Sequence, residues 1–253
     1  MAKRQKQTEH DRDPIRIVPL HLPGTAVAGH APKLTYRNGP LMAAVEVFTI
    51  FWGSGWKTAP HWDMVGQLNQ FFDFILTSAL IDQLAEYRVP KYRITHAKRK
   101  GTTTVTTPTL RTSVTDSAIR KMLHQQVTKK RLPQPTPNTL YFVYVQPGVR
   151  VVMGGSASCQ AFCGYHSAVR NKIFYAVMPY PHCNGCTGGL SVIDALTSTS
   201  SHELCEAITD PIPGQGWYDD TNGEIGDVCA WQTKKLGNYT VQLEWSNQAN
   251  RCV

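Results

Sequence analysis

The sequence runs to 253 residues, of which 42% are hydrophobic and 17% charged, enough apolar chain to bury a substantial core and too little charge for a disordered protein. No apolar run reaches the ~18–20 residues that span a bilayer; the longest, Leu41 to Trp52, is interrupted by Glu46. The formal charge of +8 is dispersed over runs such as Lys3-Arg4-Gln5-Lys6, Lys98-Arg99-Lys100 and Lys129-Lys130-Arg131, and none interleaves aromatics, which argues for solvated loops and against nucleic-acid binding.

Residues 1–32 are polar and carry Pro14, Pro19, Pro23 and Pro32, the texture of a flexible arm or pro-segment remnant. Met1-Ala2-Lys3-Arg4 is basic but no apolar stretch follows, so a secreted protein would have its leader outside this sequence. Residues 33–253 read as a single domain. Val45 to Trp52 is β-branched and aromatic and closes on Gly53-Ser54-Gly55, a buried strand and turn. From His61 to Ala85, apolar residues at Val65, Leu68, Phe71, Phe72, Ile75, Leu76, Leu80 and Leu84 keep a 3.6-residue period, which predicts one or two helices. Thr102–Thr107 reads as extended, and Ser117 to Lys130 as a helix capped by Thr115 or Asp116. After the break at Pro133, Pro135 and Pro137, Thr139–Val145 and Lys172–Met178 read as two further buried strands. This order predicts an α/β (α+β) fold with a mixed sheet and packed helices.

All seven cysteines lie between Cys159 and Cys252. Two arrangements fit. Pairs 159–163, 183–186 and 229–252 would staple a loop-rich C-terminal part and leave Cys205 buried and free. Alternatively, Cys159, Cys163, Cys183 and Cys186 would form a four-thiolate zinc site. The odd cysteine and the late Cys252 favour disulfides, and with them an oxidising, extracellular setting.

The chemistry concentrates in Ser201-His202-Glu203-Leu204-Cys205-Glu206, upstream of Pro211. In a helix, His202 and Glu206 share a face and lie ~6 Å apart along the axis, so both can converge on one ion. Glu203 occupies the place of the general base in a zincin-like H-E-x-x-H helix, with a carboxylate here as second ligand. Asp210 lies ~12 Å of helix rise beyond His202, too far for a ligand, and is expected to orient one or to anchor the turn. The loop Gly216-Trp217-Tyr218-Asp219-Asp220-Thr221-Asn222-Gly223-Glu224-Ile225-Gly226-Asp227 has glycines that let it double back, making Glu224 and Asp227 the candidate third ligands. A rival reading gives Asp220, Asn222, Glu224 and Asp227 to calcium, although the spacing departs from an EF-hand. His166 and Tyr218 are candidate supporting donors.

Two stretches carry a resemblance. Leu34 to Gly53 and Cys159-x3-Cys163-Gly164-Tyr165-His166 are similar to the plant exordium (phosphate-induced protein) family. His202 to Pro211, Gly216 to Asp219, Glu224 to Asp227 and Glu244-Trp245-Ser246-Asn247 before Cys252 resemble a His-Glu-x-x-Glu-Ala-x-Thr-Asp-Pro pattern of bacterial relatives of that family. The resemblance implies an extracellular protein and supplies no catalytic residues to carry over.

Together these features predict a zinc-dependent metallopeptidase acting on a peptide or protein substrate by metal-activated water, with no membrane or nucleic-acid partner. One alternative is a secreted, non-enzymatic exordium-like module that binds through exposed Trp217, Tyr218, Trp231 and Trp245. Another is a calcium-stabilised structural domain.

Overall fold

A computed structural model describes residues 17–21 and 31–253. Its centre is a six-stranded mixed sheet made of β1 (Ile17–Pro19), β2 (Glu46–Trp52), β3 (Lys98–Val105), β4 (Thr139–Val145), β5 (Phe162–Val169) and β6 (Ile173–Met178). The spatial order is β1-β5-β6-β4-β2-β3. Strands β6, β4, β2 and β3 are parallel neighbours, whereas β5 runs antiparallel to both β6 and β1. The four inner strands β2, β4, β5 and β6 are almost wholly buried, which is why β2, β4 and β6 read as continuous apolar runs instead of alternating ones.

Helices cover both faces. On one side, α1 (His61–Ile75) packs Leu68, Phe71, Phe72 and Ile75 against Val47, Phe51, Phe142 and Tyr144. Thr49 points the same way and donates its hydroxyl to Asn69 of α1. On the other side, α2 (Asp116–Thr128) packs Ile119, Met122, Leu123 and Val127 against Ile50, Trp52, Val143 and Val145. Burying each such side chain is worth about 1.5–3 kcal/mol. Thr115 caps α2 by accepting from the Ala118 amide. The helical stretch after His61 breaks at Thr77-Ser78 and resumes as a short helix, Ala79–Gln83, and a 3-10 turn, Leu84–Tyr87, because Ser78 caps a new start.

A third long helix, α3 (Val192–Thr209), lies on the α1 side. It is sandwiched between the β5–β6 pair and a hairpin of β7 (Thr233–Leu236) and β8 (Tyr239–Gln242). Three disulfides hold this half: Cys159–Cys183, Cys163–Cys186 and Cys229–Cys252. Cys205 is free and buried.

Three expectations need correcting. The N-terminal arm is not wholly an arm, since Ile17–Pro19 pairs with β5 as the sheet's edge; residues 1–16 and 22–30 lie outside the described residues. The first four cysteines pair across the two clusters and not within them, which rules out both the 159–163/183–186 pairing and a four-thiolate zinc site. Cys163 projects from a strand while Cys159 sits in the preceding turn, and the short helix Asn184–Thr187 packs over both. That leaves the bonded Cα atoms 5.8 and 5.3 Å apart, within disulfide reach. Lastly, the four aromatics of the binding-module reading are packed. Tyr218 and Trp245 are buried, the Trp217 indole donates to the Tyr87 carbonyl, and the Trp231 indole donates to Pro19. Among the described residues no helix is long and apolar enough to cross a membrane.

Candidate metal centre

Helix α3 starts at Ser191, whose hydroxyl accepts the Asp194 amide, and stops before Pro211, which cannot continue it. From Ala195 to Thr209 every residue is buried, although the stretch is rich in serine, threonine and acids. A polar helix buried all round must find partners for its side chains. Its hydroxyls do. Ser200 bonds the Tyr144 hydroxyl, Ser201 donates to the Ser198 carbonyl and accepts from the Gln242 amide, and Thr197 and Thr209 donate to carbonyls. Several ionisable atoms on and around the helix do not. Both ring nitrogens of His202, Glu203 Oε1, Glu206 Oε2 and both carboxylate oxygens of Glu224 and Glu244 lack a hydrogen-bond partner.

Helix geometry explains the arrangement. At ~100° per residue, Glu206 projects between His202 and Glu203, one turn on. Its Oε1 lies 2.9 Å from His202 Nε2, yet that nitrogen makes no aligned hydrogen bond, as expected of two donors aimed at a common third point. Glu206 Oε2 lies 3.4 Å from Nδ1 of His166, whose Nδ1 is also 3.0 Å from Glu203 Oε2. His166 comes from β5, opposite Ala176 of β6, on the sheet face against α3. Its Nε2 is 3.1 Å from the Asp210 carbonyl. A carbonyl only accepts, so Nε2 carries a hydrogen and Nδ1 is left to face the two carboxylates.

The downstream loop closes the site. Asp227 joins His202 and Glu206, with ligand atoms all within 4.8 Å, and His166, Glu203 and Glu206 form a second such group. The Asp227 amide also donates to Glu206 Oε1. Glu224 Oε1 is 3.5 Å from His166 Nε2. Close approach depends on two glycines. A Cβ on Gly226 would meet three atoms of the His202 ring at 2.8–2.9 Å, and one on Gly164 would meet Thr199 Cγ2 at 2.7 Å. The first lets the Glu-Ile-Gly-Asp loop lie on the imidazole; the second lets β5 lie on α3.

Charge is concentrated to an extent that a protein interior does not tolerate unaided. Burial raises the pKa of Glu203, and raises those of Glu224 and Glu244 well above the ordinary carboxylate value. Burial and the Glu206 carboxylate push Asp227 up to about 7. Burial would lower the imidazoles, but Glu224 and Glu203 around His166, and Glu206 and Glu203 around His202, outweigh it and raise both. For Glu206, burial is overridden by His202 and His166, which hold it at about 2. In the absence of a cation, burial therefore favours protons on Glu203, Glu224 and Glu244, while Glu206 stays ionised between the two imidazoles. His166, His202, Glu203 and Glu206 form a buried candidate metal site of unassigned metal identity.

The remaining expected residues fall around this cluster. The Asp210 carboxylate accepts the amides of Gly214, Gln215 and Gly216, tying the turn that starts the return loop, while its carbonyl orients His166. Tyr218 lies under Arg37, whose guanidinium carbon is 4.6 Å from the ring centroid. The donors assigned to calcium separate. Asp220 pairs with Arg37 at 2.7 Å, the Asn222 side chain donates to Asp219, and Glu224 and Asp227 face the imidazoles.

One residue of the cluster was not anticipated. Glu244, just after β8, is fully buried and acts electrostatically on His202 and Glu206, with Lys234 and the Cys205 thiol as further neighbours. The only hint was its place in the Glu244-Trp245-Ser246-Asn247 motif. No known protein family, curated protein or solved structure matches this chain.

Proposed function

We propose that this chain is a zinc-dependent hydrolase acting on peptide bonds, with His202, Glu206 and Asp227 as ligands and Glu203 as general base. What supports this is the convergence of those three donors within 4.8 Å, beside imidazole nitrogens that no hydrogen bond claims. Zinc bound there would lower the pKa of a coordinated water toward ~7 and polarise a carbonyl. Two carboxylate ligands leave less positive charge on an ion than imidazoles do, so the water is less acidified and the site also suits harder metals. Glu203 is held through Oε2 by His166 and keeps Oε1 unpartnered, free to take a proton. Burial raises its pKa, in the direction a base working near neutrality requires. Three disulfides fit an oxidising, extracellular location.

A second reading comes from the complete burial of His202, Glu203, Glu206 and Glu224. Structural metal sites are closed, whereas catalytic ones keep an open position. On this reading the metal holds together a secreted, non-enzymatic module of the exordium kind. Metal analysis of the purified protein, with wild type and Glu203→Gln assayed on a mixed protein substrate, separates the two. Bound zinc with hydrolysis by wild type and none by the variant supports the hydrolase. Bound zinc with no hydrolysis by wild type supports the module, and absence of any metal defeats both.

A further inference from the structure

We propose that the centre is dinuclear, with a second divalent cation between His166 Nδ1, Glu203 Oε2 and Glu206 Oε2, and with Glu206 bridging it to the ion held by His202 and Asp227. The proposal rests on the metal reading above and extends it. Two groups of potential ligands form, each with its donor atoms within 4.8 Å of one another, and Glu206 belongs to both. Its two oxygens face different rings, Oε1 toward His202 at 2.9 Å and Oε2 toward His166 at 3.4 Å. Donor atoms sharing a tetrahedral ion with ~2.0–2.1 Å bonds lie roughly 3.3 Å apart, and a carboxylate offering one oxygen to each of two ions suits a pair ~3.5–4 Å apart.

His166 is held from behind in the way a metal-ligating imidazole is. Its Nε2–H is given to the backbone carbonyl of Asp210, the kind of bond that fixes the tautomer and turns the other nitrogen toward an ion. That nitrogen meets Glu203 and Glu206, both fully buried, and Glu206 Oε2 and Glu203 Oε1 have no hydrogen-bond partner.

Charge points the same way. The Asp210 carboxylate is occupied by three amides, but Glu203, Glu206, Glu224, Glu244 and Asp227 crowd two imidazoles, a set of acids that cations would let ionise. The ligand set, one imidazole and two carboxylates for each ion, suits zinc or manganese. Glu203 would then ligate through Oε2 and retain Oε1 as the base. The competing arrangement has a protonated His166 donating to Glu203, with no second ion.

The test is reconstitution. Chelator-stripped protein is loaded with Zn2+ or Mn2+, desalted, and its metal counted by mass spectrometry; the manganese form is also examined by electron paramagnetic resonance. The expected result is two ions per wild-type chain, one in His166→Gln and one in Glu203→Gln, with an exchange-coupled manganese spectrum only in wild type. The Glu203→Gln variant preserves side-chain size, so it gives a reading if His166→Gln fails to fold. One ion per wild-type chain, or two ions retained in Glu203→Gln, overturns the proposal and leaves the hydrolase reading standing. No ion in wild type removes both.

Discussion

Replacing Gly226 with alanine tests the packing of the return loop on His202. Gly226 has φ −79° and ψ −37°, so alanine meets no torsional penalty and the effect is purely steric. Its Cβ would stand 2.8–2.9 Å from Cγ, Nδ1 and Cε1 of the imidazole, and ordinary carbon contacts begin near ~3.5 Å. Ring or loop must therefore retreat by about 0.6 Å, against a tolerance of ~0.2 Å in ligand distance. Overpacking of this kind costs about 1–3 kcal/mol of stability. A displaced ligand costs metal affinity of the order of the 10–100-fold seen when supporting contacts are lost. Zinc affinity measured by competition with a chromophoric chelator, alongside a thermal melt, reads both. The control is Gly66→Ala in α1, whose Cβ would meet nothing within 4 Å and which should gain about 0.5–1 kcal/mol. Zinc affinity within twofold of wild type in a folded Gly226→Ala protein would refute the placement of this loop on a ligand.

Three further outcomes follow from the same geometry. Metal-free protein should lose stability as pH rises from ~4 toward 7, because Asp227 at about 7 and Asp210 at about 6 hold protons that the unfolded chain releases, at up to ~1.4 kcal/mol per pH unit per group. The imidazoles, raised when folded, stabilise fully below their unfolded value of ~6.5 and lose that contribution as pH passes their folded values. Metal replaces these protons, so the Tm gap between zinc-loaded and chelator-treated protein should widen from pH 5 to pH 8; a constant gap would contradict this. Burial holds the Glu244 carboxyl well above the ordinary carboxylate value, so Glu244→Gln, which need not take up a proton to fold, should stabilise the metal-free protein at neutral pH by up to ~1.4 kcal/mol per pH unit above ~4.3 while weakening retention of zinc; loss of stability in both states would argue that Glu244 serves packing alone. Removing Cys229–Cys252, which closes a separation of 23 residues, should cost about 3 kcal/mol in denaturant unfolding, and an unchanged midpoint would show that this link does not constrain the unfolded chain.

The sheet was largely legible in the sequence. Strands buried on both faces must be apolar throughout, so Glu46–Trp52, Thr139–Val145 and Ile173–Met178 stood out, as did the periodic helices. Strand β5 did not, because Cys163, Gly164 and His166 break its apolar run for reasons of disulfide bonding, helix contact and chemistry. Strand β1 was hidden in a proline-rich segment where Pro19 suits only an edge. Within α3, the spacing of His202, Glu203 and Glu206 fixed their mutual positions, since helix geometry is local. The partners from other elements depended on long-range folding. His166 reaches the cluster through sheet register, and Glu244 through the hairpin and the Cys229–Cys252 link that enclose it.

Whether the cluster around Glu206 binds metal can be read from anomalous diffraction at the zinc edge in crystals of the zinc-loaded protein. A peak bonded to His202, Glu206 and Asp227 at ~2.0–2.2 Å is expected, with a second peak against His166 across Glu206. Crystals grown with excess zinc that show no peak among these residues, and hydrogen-bonded His202 and Glu206 in its place, would contradict it.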